Sequence, residues 1–464
     1  MILKNGLIYS ESSLHNGAIL ILEGEIRSII YDITEDKLQS IRTQNIDQIE
    51  IDCEKRTIIP GIIDIHSHLR DMEQSEKETF LTGTLAAAFS GITTVFTMPN
   101  TKPPATSAIQ IKKWMEKAHN NIYVNVGFIA GIPRDFNFEE IISIIDLGVI
   151  GFKIYPLNSL NGIDWTDNLN VQKFLNVSSK FQIPIFIHPD WPLNTQEKEE
   201  IFQKDVEEQL PSLKLHNNLH PSYLEAKYVN FILENYYKFV VDLDLIPEDY
   251  PIIHFCHISC KNSYSLINKA LSTNKFLKIT FEVTPHHLFL NNTIQIENPN
   301  HAKVLPPLRS EEHVSFLYQE LKKGNIKILA TDHAPHTSEE KKKSFLDAPS
   351  GFPGFESYPL IALDQVFKNE ISLESFVKIS SENPAKIFEL KSKGFIKAGY
   401  DADLIIVNQG VDYPIESKKF KSKAKFSPFQ NFQTSVHIWK VFLSGIEVNN
   451  DESNPIGNVI KRIN

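Results

Sequence analysis

The sequence predicts an α/β fold, a (β/α)8 TIM barrel carrying a small β-sandwich built from both chain ends. Three observations carry that prediction. Eight short β-branched apolar runs recur through the middle of the chain, with helical stretches between most of them. Histidine, lysine and aspartate side chains stand at or just past the ends of these runs. Both flanking segments alternate apolar and polar residues around turn dipeptides.

The first segment, residues 2–51, has turns at Asn5-Gly6, Asn16-Gly17 and Glu23-Gly24 and reads as antiparallel β-structure. The eight runs span residues 57–66, 93–99, 122–129, 149–155, 183–188, 252–258, 277–284 and 326–332. Residues 77–89, 107–118 and 171–181 have helical spacing. Alternating strand and helix implies parallel pairing, and eight such units close a barrel. Runs such as Ile183-Pro184-Ile185-Phe186-Ile187 are apolar throughout, which suits strands covered on both faces. An open doubly wound sheet would have the same local texture. Closure is favoured because His66, His68, Lys153, His188, His257 and Asp332 all fall toward C-terminal strand ends, the rim where a barrel gathers its active site. Residues 189–251, rich in charge, form an elaborated rim loop with helices of its own. Residues 403–446 contain Leu404-Ile405-Ile406-Val407 and a further apolar run at 436–443, a second antiparallel segment. Neither end has enough strands to stand alone, so the two are expected to pair. The division that follows is 1–56 and 394–464 for the β-sandwich and 57–393 for the barrel.

Composition excludes several classes. At 464 residues, 42% hydrophobic and 22% charged, the chain can bury one large barrel core plus an appendage, and disorder is not expected. The net charge is −10 with no basic stripe, which argues against nucleic acid as a partner. The lysines at 341–343 and 418–425 read as solvated surface. Only three cysteines are present, Cys53, Cys256 and Cys260, as expected in a reducing compartment. With no signal-peptide layout and no apolar run near about 18 residues, a soluble cytoplasmic protein without a membrane partner is expected.

The sharpest chemical signal is Asp64-Ile65-His66-Ser67-His68-Leu69-Arg70, placed after the turn Pro60-Gly61. Residues two apart in a strand project from one face, so both imidazoles can reach one metal ion. Taken alone, the pair reads equally well as two surface histidines. Further ligands are at hand: His188 and His257 end two later runs, and Asp332 in Ala330-Thr331-Asp332-His333-Ala334-Pro335-His336 ends the eighth. A lone strand-end histidine is usually a hydrogen-bonded structural residue, but four histidines and an aspartate on one rim point to a metal site. Lys153, in Gly151-Phe152-Lys153-Ile154-Tyr155, would by itself be a salt-bridge lysine, since a cation is repelled by metal dications. Burial makes its neutral amine accessible, and that amine can add carbon dioxide to form a carbamate able to bridge two metals. Strand alternation puts Cys256 on the face opposite His257, as a buried inert thiol. His254 competes with His257 for one role, and His286 and His287 are expected to support packing.

These segments, with Met98-Pro99-Asn100-Thr101, Val283-Thr284-Pro285-His286-His287, Pro306-Pro307-Leu308-Arg309 and Gly351-Phe352-Pro353-Gly354-Phe355-Glu356, resemble the dihydroorotases. More broadly they resemble the amidohydrolase superfamily, as far as Gly399-Tyr400-Asp401-Ala402-Asp403-Leu404. The resemblance implies reversible interconversion of N-carbamoyl-L-aspartate and (S)-dihydroorotate in de novo pyrimidine biosynthesis. It implies two divalent metal ions, zinc first among them, with His66, His68 and Asp332 on one, His188 and His257 on the other, and carboxylated Lys153 bridging. It selects His257 over His254, makes Asp332 the general acid/base, and assigns Arg70, Asn100 and His336 to the substrate carboxylate. Guanidinium chemistry agrees, because it clamps a carboxylate with two parallel hydrogen bonds. Residues 351–356 would enclose the substrate. Expected partners are the small-molecule substrate, a second copy in a homodimer, and aspartate transcarbamoylase.

Two departures from the family pattern stand out. Leu305 occupies a place that is polar in many bacterial dihydroorotases, which leaves ring recognition there to backbone groups. The loop at 156–162 does not match the usual flexible loop, so gating is unassigned. Other readings are a dihydropyrimidinase, hydantoinase or allantoinase, whose ring substrates lack the carboxylate that Arg70 and Asn100 would hold. An inactive scaffold subunit for aspartate transcarbamoylase should have lost metal ligands, and all six are present.

Overall fold

The computed structural model describes residues 1–32 and 49–462 together with residues 34, 36, 37 and 39. Apart from those four, positions 33–48 of the predicted N-terminal β segment lie outside the described residues. Strands β1 (Ile2–Ser10), β2 (Ser13–Leu22) and β3 (Glu25–Tyr31) form an antiparallel meander, and β4 (Glu50–Asp52) and β5 (Thr57–Pro60) pair parallel with β1. The barrel strands are β6 (Ile62–Ser67), β7 (Ile92–Thr97), β8 (Asn125–Gly131), β9 (Gly151–Ile154), β10 (Ile185–Ile187), β11 (Ile253–Phe255) and β12 (Ile279–Phe281), each parallel to the next. The eighth run closes the ring through short bridges rather than a continuous ladder. Val283 pairs with Leu329 on one side and Ser67 with His333 on the other.

The run at 57–66 is two strands, not one. Thr57–Pro60 pairs with β1 and with β13 (Leu404–Pro414) in the terminal sheet, and the barrel begins only at Ile62. Gly61 makes the crossing; a Cβ there would lie 2.1 Å from the Thr93 hydroxyl oxygen. With β14 (Gln433–Leu443) and β15 (Ile446–Glu447), the chain ends join in one sheet of order β15-β14-β13-β5-β1-β2-β3. The continuous apolar run in β13 has a reason: Leu404 and Ile406 face a small core with Leu3, Ile8 and Ile58, whereas Ile405 and Val407 face the barrel core. The tail returns to the barrel as β16 (Val459–Ile460), beside β8.

Helix starts follow capping chemistry. Thr79 accepts the Thr82 amide in a capping box, so the helix predicted from 77 begins at Phe80. Ser107 accepts the Gln110 amide at the head of Ala108–Ala118. The rim insertion holds three α-helices, Thr195–Glu208, Ser212–Leu219 and Ser222–Asp242. One expectation fails here: Lys341 is not solvated but fully buried, donating to the carbonyls of Asn300 at 2.9 Å and Pro349 at 2.8 Å. Among the described residues no helix is long and apolar enough to cross a membrane.

The Pro-Pro-Leu-Arg motif pins the insertion to the rim. Buried Arg309 donates to the Ser259 hydroxyl at 2.8 Å, to the His220 carbonyl, and to Glu225 at 3.0 Å. Glu225 also accepts the Ser259 amide at 3.1 Å. Breaking a buried pair from one side costs about 3–5 kcal/mol, because the remaining charge is stranded. Arg309→Met should therefore melt well below the wild type in thermal unfolding followed by circular dichroism. Adding Glu225→Gln should recover part of the loss, and a variant melting with the wild type would refute the anchor.

Candidate metal centre

Side chains from the ends of several barrel strands meet at one mouth of the barrel. His66, at the end of β6, and His68, just beyond, present their Nε2 atoms 3.4 Å and 3.1 Å from the same Asp332 carboxylate oxygen. Their other ring nitrogens are already engaged: His66 Nδ1 contacts Glu282, and His68 Nδ1 lies 2.6 Å from Asn100 Oδ1. Outer partners of this kind fix the tautomer and aim the free lone pair at a metal. His188 and His257 face each other, Nδ1 to Nε2 at 2.9 Å, and the His257 ring is 5.2 Å from that of His66. Lys153 lies below, its ammonium 2.7 Å from Cys256 Sγ, and its charge bears on His66, His188 and His257 alike.

The electrostatics suit a cation. Burial drives His188 and His257 far below the ordinary histidine range and His68 down to about 4, so these rings are neutral donors with lone pairs to give. Against burial and the Lys153 charge, Glu282, Cys256 and Asp332 push His66 up to about 10, the mark of a place where positive charge is favoured. Burial opposes ionisation of Asp332 as well, yet His66 and His68 hold its carboxyl below the usual range. The buried donor set of His66, His68 and Asp332 thus fits a divalent metal by residue type and by convergence.

The cavity above the cluster measures about 360 Å3, within the range of small-molecule sites. Arg70 and Asn100 line it, together with Leu157, Leu160, Leu305 and Gly351. Both departures from the family pattern, Leu305 and the 156–162 loop, therefore face the place where a ring would sit. His336 stands behind rather than on the wall, its Nε2 3.4 Å from Arg70 Nη2.

Alternation misplaced one residue. Cys256 points into the barrel beside Lys153, on the same face as His254, and the left-handed backbone of His257 (φ 37) breaks the two-residue period so that His257 reaches the mouth as well. Both residues consequently turn inward. His254, one pleat deeper, is bound to Glu282 at 3.0 Å and Thr280 at 2.8 Å, which leaves His257 at the mouth. Two buried acids escaped the sequence reading. Glu282 links His66, His254 and the His257 amide, and Asp64 accepts from the Thr331 hydroxyl at 2.5 Å and the His66 amide at 3.2 Å. Their signal was a carboxylate inside an otherwise apolar strand.

Residues 57–448 match the amidohydrolase family. The chain belongs to that family. This amidohydrolase is 34% identical to the dihydroorotase of Methanosarcina acetivorans over 438 residues, 92% of this chain and 87% of that one. It is 32% identical to the dihydroorotase of Ehrlichia canis over 441 residues, 95% and 92% of the two chains. The motif resemblance to dihydroorotases is thereby borne out along nearly the whole sequence. In structure the amidohydrolase is similar to the L-hydantoinase of Arthrobacter aurescens, with TM-score 0.85, 23% identity and 99% of each chain covered. The dihydropyrimidinase of Brevibacillus agri gives TM-score 0.83 at 24% identity over 99% and 98% of the two chains. These likenesses establish the fold, and the enzyme is a hydrolase.

If Glu282 orients His66, Glu282→Gln should lower metal affinity on the order of 10–100-fold. Metal content after dialysis against graded chelator measures this, and wild-type retention would remove Glu282 from the role.

Proposed function

We propose that this amidohydrolase is a cytoplasmic dihydroorotase, interconverting (S)-dihydroorotate and N-carbamoyl-L-aspartate. The observation that carries the reading is Arg70. Its guanidinium is buried, it lines the cavity, and among the described residues no carboxylate lies within ion-pair distance of it. Leaving a buried cation unpaired is costly, which a substrate carboxylate would offset. Hydantoin, dihydrouracil and allantoin have no such group. Asn100 suits the same carboxylate, since its carbonyl oxygen is taken by His68 and its amide NH2 remains to donate.

His66, His68 and Asp332 would hold one metal ion and His188 and His257 a second, with zinc favoured by the imidazole-rich set. Lys153, its neutral amine having added carbon dioxide and released a proton, would bridge them as a carbamate. When bound, such a pair would supply Lewis-acid polarisation of the ring amide carbonyl and lower the pKa of a water toward about 7. Asp332, ionised and beside both histidines, takes the proton of the attacking water and delivers it to the leaving ring nitrogen. In the reverse direction it removes a proton from the ureido nitrogen as the ring closes. Arg70 and Asn100 keep the substrate carboxylate fixed, so the amide stays over the cluster throughout.

Purified protein of measured metal content, assayed side by side on dihydroorotate, hydantoin, dihydrouracil and allantoin, should show its highest kcat/KM on dihydroorotate. Preference for a ring without the carboxylate would sink the reading. Asp332→Ala should abolish turnover while the far-ultraviolet dichroism stays native. Arg70→Ala should act mainly on KM, by roughly 10–100-fold, the worth of hydrogen bonds to a charged group.

A further inference from the structure

Two buried lysines stand behind the cavity wall, and neither has a carboxylate to answer it. Lys303 Nζ donates to the carbonyls of Phe345 at 2.6 Å, Leu346 at 3.2 Å and Ala348 at 2.6 Å. Lys341, fully buried, donates to those of Asn300 and Pro349. Among the described residues no acid lies within ion-pair distance of either. Glu340, next to Lys341 in the chain, pairs with Lys77 at 2.7 Å, and exposed Asp347 accepts from the Ser344 hydroxyl at 2.6 Å. Both lysines adjoin the wall itself. Val304 and Leu305 follow Lys303, Ser350 and Gly351 follow Pro349, and all four line the cavity. The Gly351 amide joins the two segments, donating to the Lys303 carbonyl at 2.8 Å.

Carbonyls alone account for a staple but not for a charge. A neutral donor would hold two carbonyls as well, whereas a buried ammonium without a counter-ion is costly. Arg70 adds a third such cation on the wall. Its charge and those of Lys303 and Lys77 bear on Lys341, opposed by Glu340, and Lys341 bears in turn on His336 and His301. Burial and Lys303 push the Lys341 amine down to about 7, so a nearby anion decides whether it is charged. We propose that Lys341 is a specificity-determining residue acting through space: a carboxylate held at Arg70 draws a proton from solvent onto its amine, and the resulting ammonium, with that of Lys303, strengthens the hold on the anion. The carboxylate step rests on the function proposed above; the titration of Lys341 does not. Because the bound anion raises the amine, the added affinity is complete below the free value of about 7 and is lost as pH climbs past the bound one.

On the metal-replete full chain, KM for dihydroorotate should rise roughly three- to tenfold between about pH 6 and about pH 9, the worth of one unit charge near a carboxylate at the effective dielectric of a protein interior. Lys341→Met should be flat at the high-pH value, and Lys341→Arg flat at the low-pH one. A wall merely loosened by the substitution would shift KM at every pH and keep the wild-type profile. That result would overturn the proposal, as would a wild-type KM without the rise. Carbon-13 spectra of the full chain with lysine labelled at Cε read the titration directly, Lys341→Arg identifying the resonance. The midpoint should lie near 7 without ligand and move up when dihydroorotate binds. A free midpoint in the ordinary lysine range near about 10.4, or one that the ligand leaves in place, refutes the role even where Lys341→Met folds poorly. A wild type inert toward dihydroorotate would instead refute the substrate reading, and the ligand-free spectrum would still decide whether Lys341 carries a switchable charge.

Discussion

Everything in the barrel mouth depends on charged groups answering one another where water does not reach. Glu282 is the centre of that arrangement. One carboxylate, buried, contacts His66 from the first barrel strand and His254 from the sixth, and accepts the His257 amide besides. A carboxylate moved from water into such surroundings costs several kcal/mol unless hydrogen bonds and opposite charge replace its hydration. Here three partners do so. Asp64 repeats the solution at the seam, tying the first strand to Thr331 of the eighth. The eighth strand has few ladder bonds of its own, so this carboxylate takes over part of the closure.

Under the function proposed here, the same pairing would let the cavity tell substrates apart. Acids within the cluster are satisfied by histidines and amides, and none is left to pair with Arg70. The guanidinium is thus an unanswered charge at the wall of a cavity that the neutral imidazoles of His68, His188 and His257 also line. A ligand that brings one carboxylate and one amide carbonyl, spaced by a small ring, answers both needs together. Leu157, Leu160 and Leu305, which also line the cavity, bring apolar side chains, so side-chain orientation of such a ligand comes from its two polar ends.

Much of this is legible in the amino-acid sequence, because barrels translate chain order into geometry. A residue at the C-terminal end of a strand run lands on the rim, which is how His66, His68, His188, His257 and Asp332 can be grouped from spacing and strand ends. What cannot be read are the places where the period breaks or where pairing ignores the run. Thr57–Pro60 has the texture of a barrel strand, yet its neighbours are β1 and β13, a partnership that no local pattern encodes. Lys341 lies in a lysine triplet that resembles solvated surface, and it is buried because the carbonyls of Asn300 and Pro349 replace its water. His336 and Arg70 can be paired from motif likeness, but Lys77, set in a charged stretch before a helix cap, gives no sign that its ammonium lies 3.3 Å from His336 Nδ1.

The misplaced Cys256 points to a device shared by the whole site. Arg70, His257 and Asp332 all have left-handed backbones, with φ of 56, 37 and 49, and none is glycine. For L-residues that conformation costs on the order of 1–2 kcal/mol each. It persists only where the surroundings over-determine it, and each of the three is fastened through its own strand. Arg70 is followed by Asp71, whose carboxylate accepts the Phe80 amide at 2.8 Å; His257 gives its amide to Glu282; Asp332 is flanked by Thr331, bound to Asp64, and by His333, whose ring accepts the Gly354 amide at 3.1 Å. A pleated strand can show only every second residue to the barrel axis. By turning left-handed at its end, a strand can present consecutive side chains to one point, and a centre needing several ligands within a few ångströms requires that. The strain and the chemistry therefore have one origin, and residues that fasten these turns should matter to the site although they touch neither metal nor substrate.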